Sequence, residues 1–143
     1  MYYTIKDGKI TAFADWHFAP EALETEREIV TTWDGSLCFK DEEPQKPQEM
    51  VAADYEAKIQ ARLDNFARSL AYDGIISACS YATSTVERYR IEGQYCVDMR
   101  DATWAKAFEL FSAFKPDAPV PAWEEIEARL PPLSSPHHVT LGA

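Results

Sequence analysis

Glycine is scarce in this chain, with five residues in 143. So few leave little material for a phosphate-cradling loop, and neither that loop nor a dinucleotide fingerprint occurs. Cysteine is scarcer still. Cys38, Cys79 and Cys96 form an odd set with no close pair, which argues against a disulfide framework and against a CxxC metal or redox site. Cys79 and Cys96 sit among Ala, Tyr and Val, where a thiol acts as a small buried hydrophobe, and a reducing, cytoplasmic compartment is expected. Long apolar runs are missing as well. Residues 74–85, among the longest uncharged stretches, fall well short of a membrane span. The opening Met1-Tyr2-Tyr3-Thr4-Ile5-Lys6 lacks a basic region followed by an apolar one, so no secretory signal is expected. Positive charge is also short: 14 Lys and Arg against 24 Asp and Glu give a net charge of −10. Such a surface repels phosphate backbones and anionic lipid, so neither nucleic acid nor membrane is expected as a partner. A solvated surface with excess carboxylates is the simple reading. A special one is an acidic inhibitor that mimics DNA toward a host nuclease or defence protein.

What is present suffices for a core: 46% of residues are hydrophobic and 13% aromatic. The length fits one domain, or a small domain with an appendage. The first forty residues read as strands. Tyr2–Ile5, an Asp7-Gly8 turn and Ile10–Phe13 form one hairpin signal, and Arg27–Trp33, Asp34-Gly35 and Ser36–Lys40 form another. Both turns favour positive φ, which glycine tolerates without a Cβ clash. Residues 18–23 read as a connector with a single helical turn. Two hairpins alone are marginal, so one face of the sheet is expected to lie against helices or a partner. Asp41, Glu42, Glu43, Pro44 and Pro47 then mark a linker, since the prolines remove donors and the charges prefer water.

Beyond the linker the period changes to that of a helix. Val51, Tyr55, Ile59, Leu63, Phe66 and Leu70 stack on one face, with Lys58, Arg62 and Arg68 on the other side. Asp73 is placed to cap a short helix through Ile75, Ile76 and Cys79. Ser84 and Glu87 have capping-box spacing, which predicts a long helix from Thr85 to about Phe114. Gly93 is its weak point, and Trp104, Phe108, Phe111 and Phe114 dominate its second half. Lys115-Pro116 ends it. A last helix carries Trp123, Ile126 and Leu130, with Glu124 and Glu125 in the first turn, where the helix dipole favours carboxylates. The expected fold class is therefore α+β. An N-terminal antiparallel sheet of two hairpins spans residues 1–43, and a linker 44–49. A module of three to four helices spans 50–133, and a flexible tail 134–143.

No constellation in this layout carries catalysis. His137 and His138 are adjacent but lack a Cys or carboxylate at ligand spacing, so they read as solvated tail residues and no metal is expected. His17, between Trp16 and Phe18, reads as packing or a surface hydrogen bond. Ser77, Cys79 and Ser80 have no nucleophile elbow and no histidine in the helical region to serve as base. Asp98 and Asp101 flank Arg100, where local ion pairs explain them as well as acid–base chemistry does. An enzyme would require a cleft that places His17 or His137 beside a carboxylate or thiol. No catalytic residue and no cofactor are expected. Trp16, Phe18, Trp33 and Phe39 share the small sheet, either buried against the helices, which is the ordinary outcome, or presented to a partner.

The run Leu70-Ala71-Tyr72-Asp73-Gly74-Ile75-Ile76-Ser77-Ala78-Cys79-Ser80-Tyr81-Ala82 resembles a stretch found in small bacteriophage and prophage tail-region proteins. There it is followed by a Ser/Thr loop and a Glu-containing helix, then an Arg-Asp-Ala-x-Trp motif and a proline-flanked closing helix. The corresponding parts here are Ser84–Arg88, Arg100-Asp101-Ala102-Thr103-Trp104 and Pro119–Pro131, and the resemblance covers residues 55–133. The opening hairpin and Ile29–Leu37 resemble a second phage tail-region pattern. The layout of sheet, linker and helices is similar to that of tail-fibre assembly chaperones. This chain departs from such proteins at the end: where they close near a Trp-Pro, it has Leu133-Ser134-Ser135-Pro136, which puts docking through that end in doubt. The resemblance implies a non-enzymatic tail accessory protein, cytoplasmic in a bacterial host or virion-associated. Its partner would be a phage tail or tail-fibre protein, and it allows a homo-oligomer. Trp16, Phe18, Trp33, Trp104 and Trp123 are the candidate partner-binding residues. The alternatives are a structural tail component retained in the virion and the acidic inhibitor described above.

Overall fold

The computed structural model describes residues 1–137. The chain is α+β and divides into two compact units, Met1–Pro47 and the chain from Gln48 onward.

The first unit is one antiparallel sheet of five strands: β1 (Tyr2–Lys6), β2 (Lys9–Ala14), β3 (Leu23–Glu24), β4 (Ile29–Thr31) and β5 (Leu37–Phe39), in the order β3-β1-β2-β5-β4. Both hairpins form where the Asp-Gly pairs predict them. Asp7 and Gly8 both take positive φ, the backbone of a two-residue turn whose twist suits the strands it joins. The connector differs from expectation. A turn closes from the Ala22 N–H to the Ala19 carbonyl, and Leu23-Glu24 then adds an edge strand beside Tyr2 and Tyr3. Two residues carry too little periodicity to be read as a strand.

The register fixes which side chains share a face, because directly opposed residues point the same way. Tyr3 opposes both Phe13 and Leu23, and Ile5 opposes Ile10. Ile10 opposes Leu37, and Phe39 opposes Ile29. Alternation along each strand, with a register shift between Thr4 and Ile5 that offsets the odd spacing of Ile10 and Phe13, gathers Tyr3, Ile5, Ile10, Phe13, Leu23, Ile29, Leu37 and Phe39 on a single apolar face. The other face carries the Thr4–Thr11 hydroxyl pair at 2.8 Å and the Tyr2–Glu24 contact at 3.5 Å. Acidic residues expected in the linker are partly recruited here. A 3-10 turn spans Lys40–Glu42, and Arg27 forks onto Asp41 and Glu42 at 2.8 and 2.7 Å while stacking on Phe39.

The second unit holds α1 (Gln48–Ser69), α2 (Ile75–Ser80), α3 (Glu87–Ser112) and α4 (Trp123–Arg129). α1 starts at Gln48, two residues before the expected edge of the module, and the Gln48 amide donates to the Lys115 and Ala118 carbonyls. Tyr55, Ile59 and Leu63 of the predicted stripe are buried, with Ala67 completing it. They pack with Ile75 and Ala78, with Cys96, Ala107 and Leu110, and with Ile126 and Leu130. The buried face of α3 is mostly small residues, Gly93, Cys96, Thr103 and Ala107, with Glu92 and Leu110, and Phe108, expected to dominate, is exposed. Among the described residues no helix is long and apolar enough to cross a membrane.

The helix starts depart from the predicted caps. Asp73 does not cap α2; Asp64, on α1, accepts from the Ile75 N–H at 2.9 Å and supplies the cap from a distance. Ser84 accepts from the Val86 N–H rather than from Glu87, so the capping box is replaced by a short Ser turn and α3 begins at Glu87. α1 ends on Ala71 at φ 72°, a left-handed position usually filled by glycine, with the Tyr72 N–H returning to the Ala67 carbonyl.

Gly93 is a packing necessity rather than a weak point. A Cβ there would lie 2.4 Å from the Ala82 nitrogen and 2.5 Å from the Tyr81 carbonyl carbon. Both are backbone atoms and cannot rotate away, so the 3-10 turn Tyr81–Thr83 rests directly on α3. Gly93→Ala is expected to destabilise the protein by about 2–3 kcal/mol, at the upper end of overpacking costs, despite alanine's higher helix propensity. Chemical denaturation measures this, and a stabilised variant would refute the contact.

Candidate functional site

The sequence-predicted binding residues fall into two groups. Trp16 and Trp33 lie in the sheet unit, 69% and 42% exposed, and Phe18 is half-buried beside them in sequence. Trp16 follows β2, and Trp33 lies in the β4–β5 turn. The antiparallel β2–β5 register puts those two positions at one end of the sheet, where Tyr2 also meets His17 with ring centroids 5.3 Å apart. Trp104 and Trp123 belong to the helical unit, both half-buried against its core. Trp123 stacks at 5.5 Å from Tyr55 with the Lys58 ammonium over its ring, and it borders a cavity of about 450 Å3 with Lys58, Arg62 and Glu127. Trp104 packs beside Phe108 and is not among the residues lining that cavity.

The sheet unit buries almost nothing of its own. Only Ile29 and Thr32 are buried there, and Ile5, Phe13 and Leu23 are exposed on the apolar face. The Leu23–Tyr3–Phe13 row, one residue from each of three adjacent strands, is continuous with Ile5 and Ile10.

The turn presenting Trp33 is held by Asp34. Its carboxylate accepts from the Ser36 hydroxyl at 2.5 Å, from the Ser36 N–H at 2.9 Å and from the Thr32 hydroxyl. Those donors, the Ser36 hydroxyl first, hold the carboxyl down at about 2 against an ordinary 3.8. Gly35 takes φ 84° and closes the loop onto the Thr32 carbonyl.

The helical unit contains a polar cluster that the sequence did not announce. Glu92 of α3 is 3% exposed. It accepts from the Tyr72 hydroxyl at 2.7 Å and from the Arg88 Nε at 3.0 Å, and it shares a 2.7 Å hydrogen bond with the His137 Nε2. Burial alone would push the Glu92 carboxyl up; the three hydrogen bonds and the nearby imidazole outweigh it, and the net displacement is downward. Burial, then the bond to Glu92, pushes the Tyr72 hydroxyl well up. His137 is thus tied to α3 instead of lying in a loose tail, and the Ser134 N–H reaches the Tyr95 hydroxyl at 3.1 Å. The His137–Glu92 pair borders a cavity of about 670 Å3 with Arg88, Ile91 and Ser135, the imidazole-beside-carboxylate cleft that an enzyme would require. His138 lies outside the described residues. Glu92 falls in register with buried Cys96 and Thr103 on α3, a place where a charged residue in the sequence could have been noticed.

Other candidates are accounted for. Arg100 pairs with Asp101 at 2.9 Å, and Asp98 accepts from Gln94. Burial pushes the Cys96 thiol up to about 11 and raises Cys79, so neither is an activated nucleophile. Among the described residues no group of three His, Cys, Asp or Glu side chains could hold a metal. No protein-family model matches the chain, and neither a curated protein nor a solved structure shows significant similarity to it.

Two outcomes are expected. A carboxyl whose pKa falls on folding stabilises above its ordinary value and loses that contribution as pH drops through the folded value. The stability difference between wild type and Asp34→Ala should therefore hold constant above pH ~4 and shrink toward pH ~2; unfolding titrations at several pH values read this directly. Glu92→Gln leaves the half-buried Tyr72 hydroxyl a weaker acceptor and should cost roughly 1–3 kcal/mol at neutral pH, seen in the denaturation midpoint.

Proposed function

We propose that this chain is a non-enzymatic phage or prophage tail accessory protein, an assembly chaperone that holds a tail-fibre protein through its sheet unit. The observation that carries the binding part is the exposed apolar row Leu23–Tyr3–Phe13 on a sheet with only two buried residues, flanked by exposed Trp16 and Trp33. A strand-rich surface with aromatic anchors suits an extended or β-rich client, which a fibre protein is while it assembles. The phage assignment rests on the resemblance across residues 55–133. Such a protein works in the cytoplasm of the bacterial host.

Co-expression with the neighbouring fibre gene tests this reading. The fibre protein should become more soluble and co-purify with the chain. Trp16→Ala or Phe13→Ser should weaken the complex by about 2 kcal/mol or more, the size of an interfacial anchor. Fibre solubility that is the same with and without the chain would sink the chaperone role. Mass spectrometry of mature particles separates the virion-component alternative, since a chaperone is absent from them.

A further inference from the structure

The helical unit holds a second site with no part in the reading above. Tyr72, Tyr81 and Tyr89 stand in series, with ring centroids 5.1 and 5.6 Å apart and planes turned 50° and 71° to one another. With Ala71, Arg88 and Glu92 they border a cavity of about 400 Å3. Tyr81 and Tyr89 are exposed at its rim, while the Glu92 carboxylate is buried.

Two features of this cavity favour positive charge. Aromatic faces carry the negative side of the ring quadrupole and attract cations. Glu92 adds a carboxylate, whose Oε1 takes both Arg88 and His137 and whose Oε2 takes the Tyr72 hydroxyl. The chain already shows which cation the floor accepts. Arg88 places its Nε 3.0 Å from a Glu92 oxygen, yet its side chain is 74% exposed.

We propose that this cavity is a binding site for an arginine side chain of a partner polypeptide, with Tyr81 and Tyr89 as its walls and Glu92 as the acceptor. Arg88 is the internal occupant that the incoming guanidinium displaces. A planar guanidinium can stack on a tyrosine face and donate to a carboxylate at once. The net charge of −10 draws such a basic segment toward the protein. The site stands independently of the chaperone reading.

The test is an NMR titration of the full chain at low ionic strength with N-acetyl-arginine methylamide. N-acetyl-citrulline methylamide, of the same shape without the charge, is the control. The arginine compound should give saturable shifts at the Tyr81, Tyr89 and Gly93 amides, and the citrulline compound should not. Tyr89→Leu, which keeps apolar bulk at an exposed position, should weaken binding roughly two- to fivefold, the size of one exposed cation–π contact. Arg88→Gln should tighten it, because the competing guanidinium is gone. Equal responses to the two compounds, or weaker binding in Arg88→Gln, would overturn the proposal.

Discussion

At Gly93 the backbone of α3 comes so close to the turn after α2 that a methyl group would sit 2.4 Å from the Ala82 nitrogen. That approach organises much of the helical unit. It draws Tyr81 in beside α3, where its ring meets both Tyr72 and Tyr89. It sets the neighbouring Glu92 inside the unit, where a carboxylate survives only with its hydrogen bonds made. Tyr72, Arg88 and His137 make them, each from a different part of the chain. The small inward residues Cys96, Thr103 and Ala107 continue the same close fit along the helix. Interiors are packed too densely to absorb an added carbon at such a seam.

The sheet unit is governed by the opposite condition. Its strands are short and its turns are well specified, by Asp-Gly pairs and by the Asp34 carboxylate with its three donors. The backbone is therefore determined locally. Its apolar face is not used up, since of the whole unit only Ile29 and Thr32 are buried. A sheet of this size is marginal in water when its apolar side stays wet. The exposed row is consequently the feature of this unit with the most free energy to gain from a contact.

How much of this the sequence disclosed follows from the range of each interaction. The hairpins were legible because each pairs residues three to twelve positions apart, and the α1 stripe because helical period is a local property. The end of α3 was marked by Lys115-Pro116, and the closing helix by its prolines and Trp123. Interactions between distant residues were invisible. The Asp64 cap of α2 spans 11 positions, the His137 bond to Glu92 spans 45, and the Gln48 amide reaches 67 and 70 positions along the chain. Local rules gave reasonable substitutes at Asp73 and Ser84, and tertiary partners displaced them. Gly93 was misjudged for the same reason. Helix propensity assigns glycine a cost that is real only where nothing presses on the position.

The two units differ in where their polar groups sit and in whether they hold a core. In the helical unit the Glu92 carboxylate is buried and hydrogen-bonded to Tyr72 and His137, and a buried apolar cluster forms although Ile76 and Phe108 stay exposed. In the sheet unit the carboxylates line turns and edges, and apolar side chains remain outside. Desolvating a paired charge is costly, so a buried cluster such as Glu92's fixes geometry more than it adds stability. An exposed apolar row fixes nothing within the chain and gains its free energy only on contact.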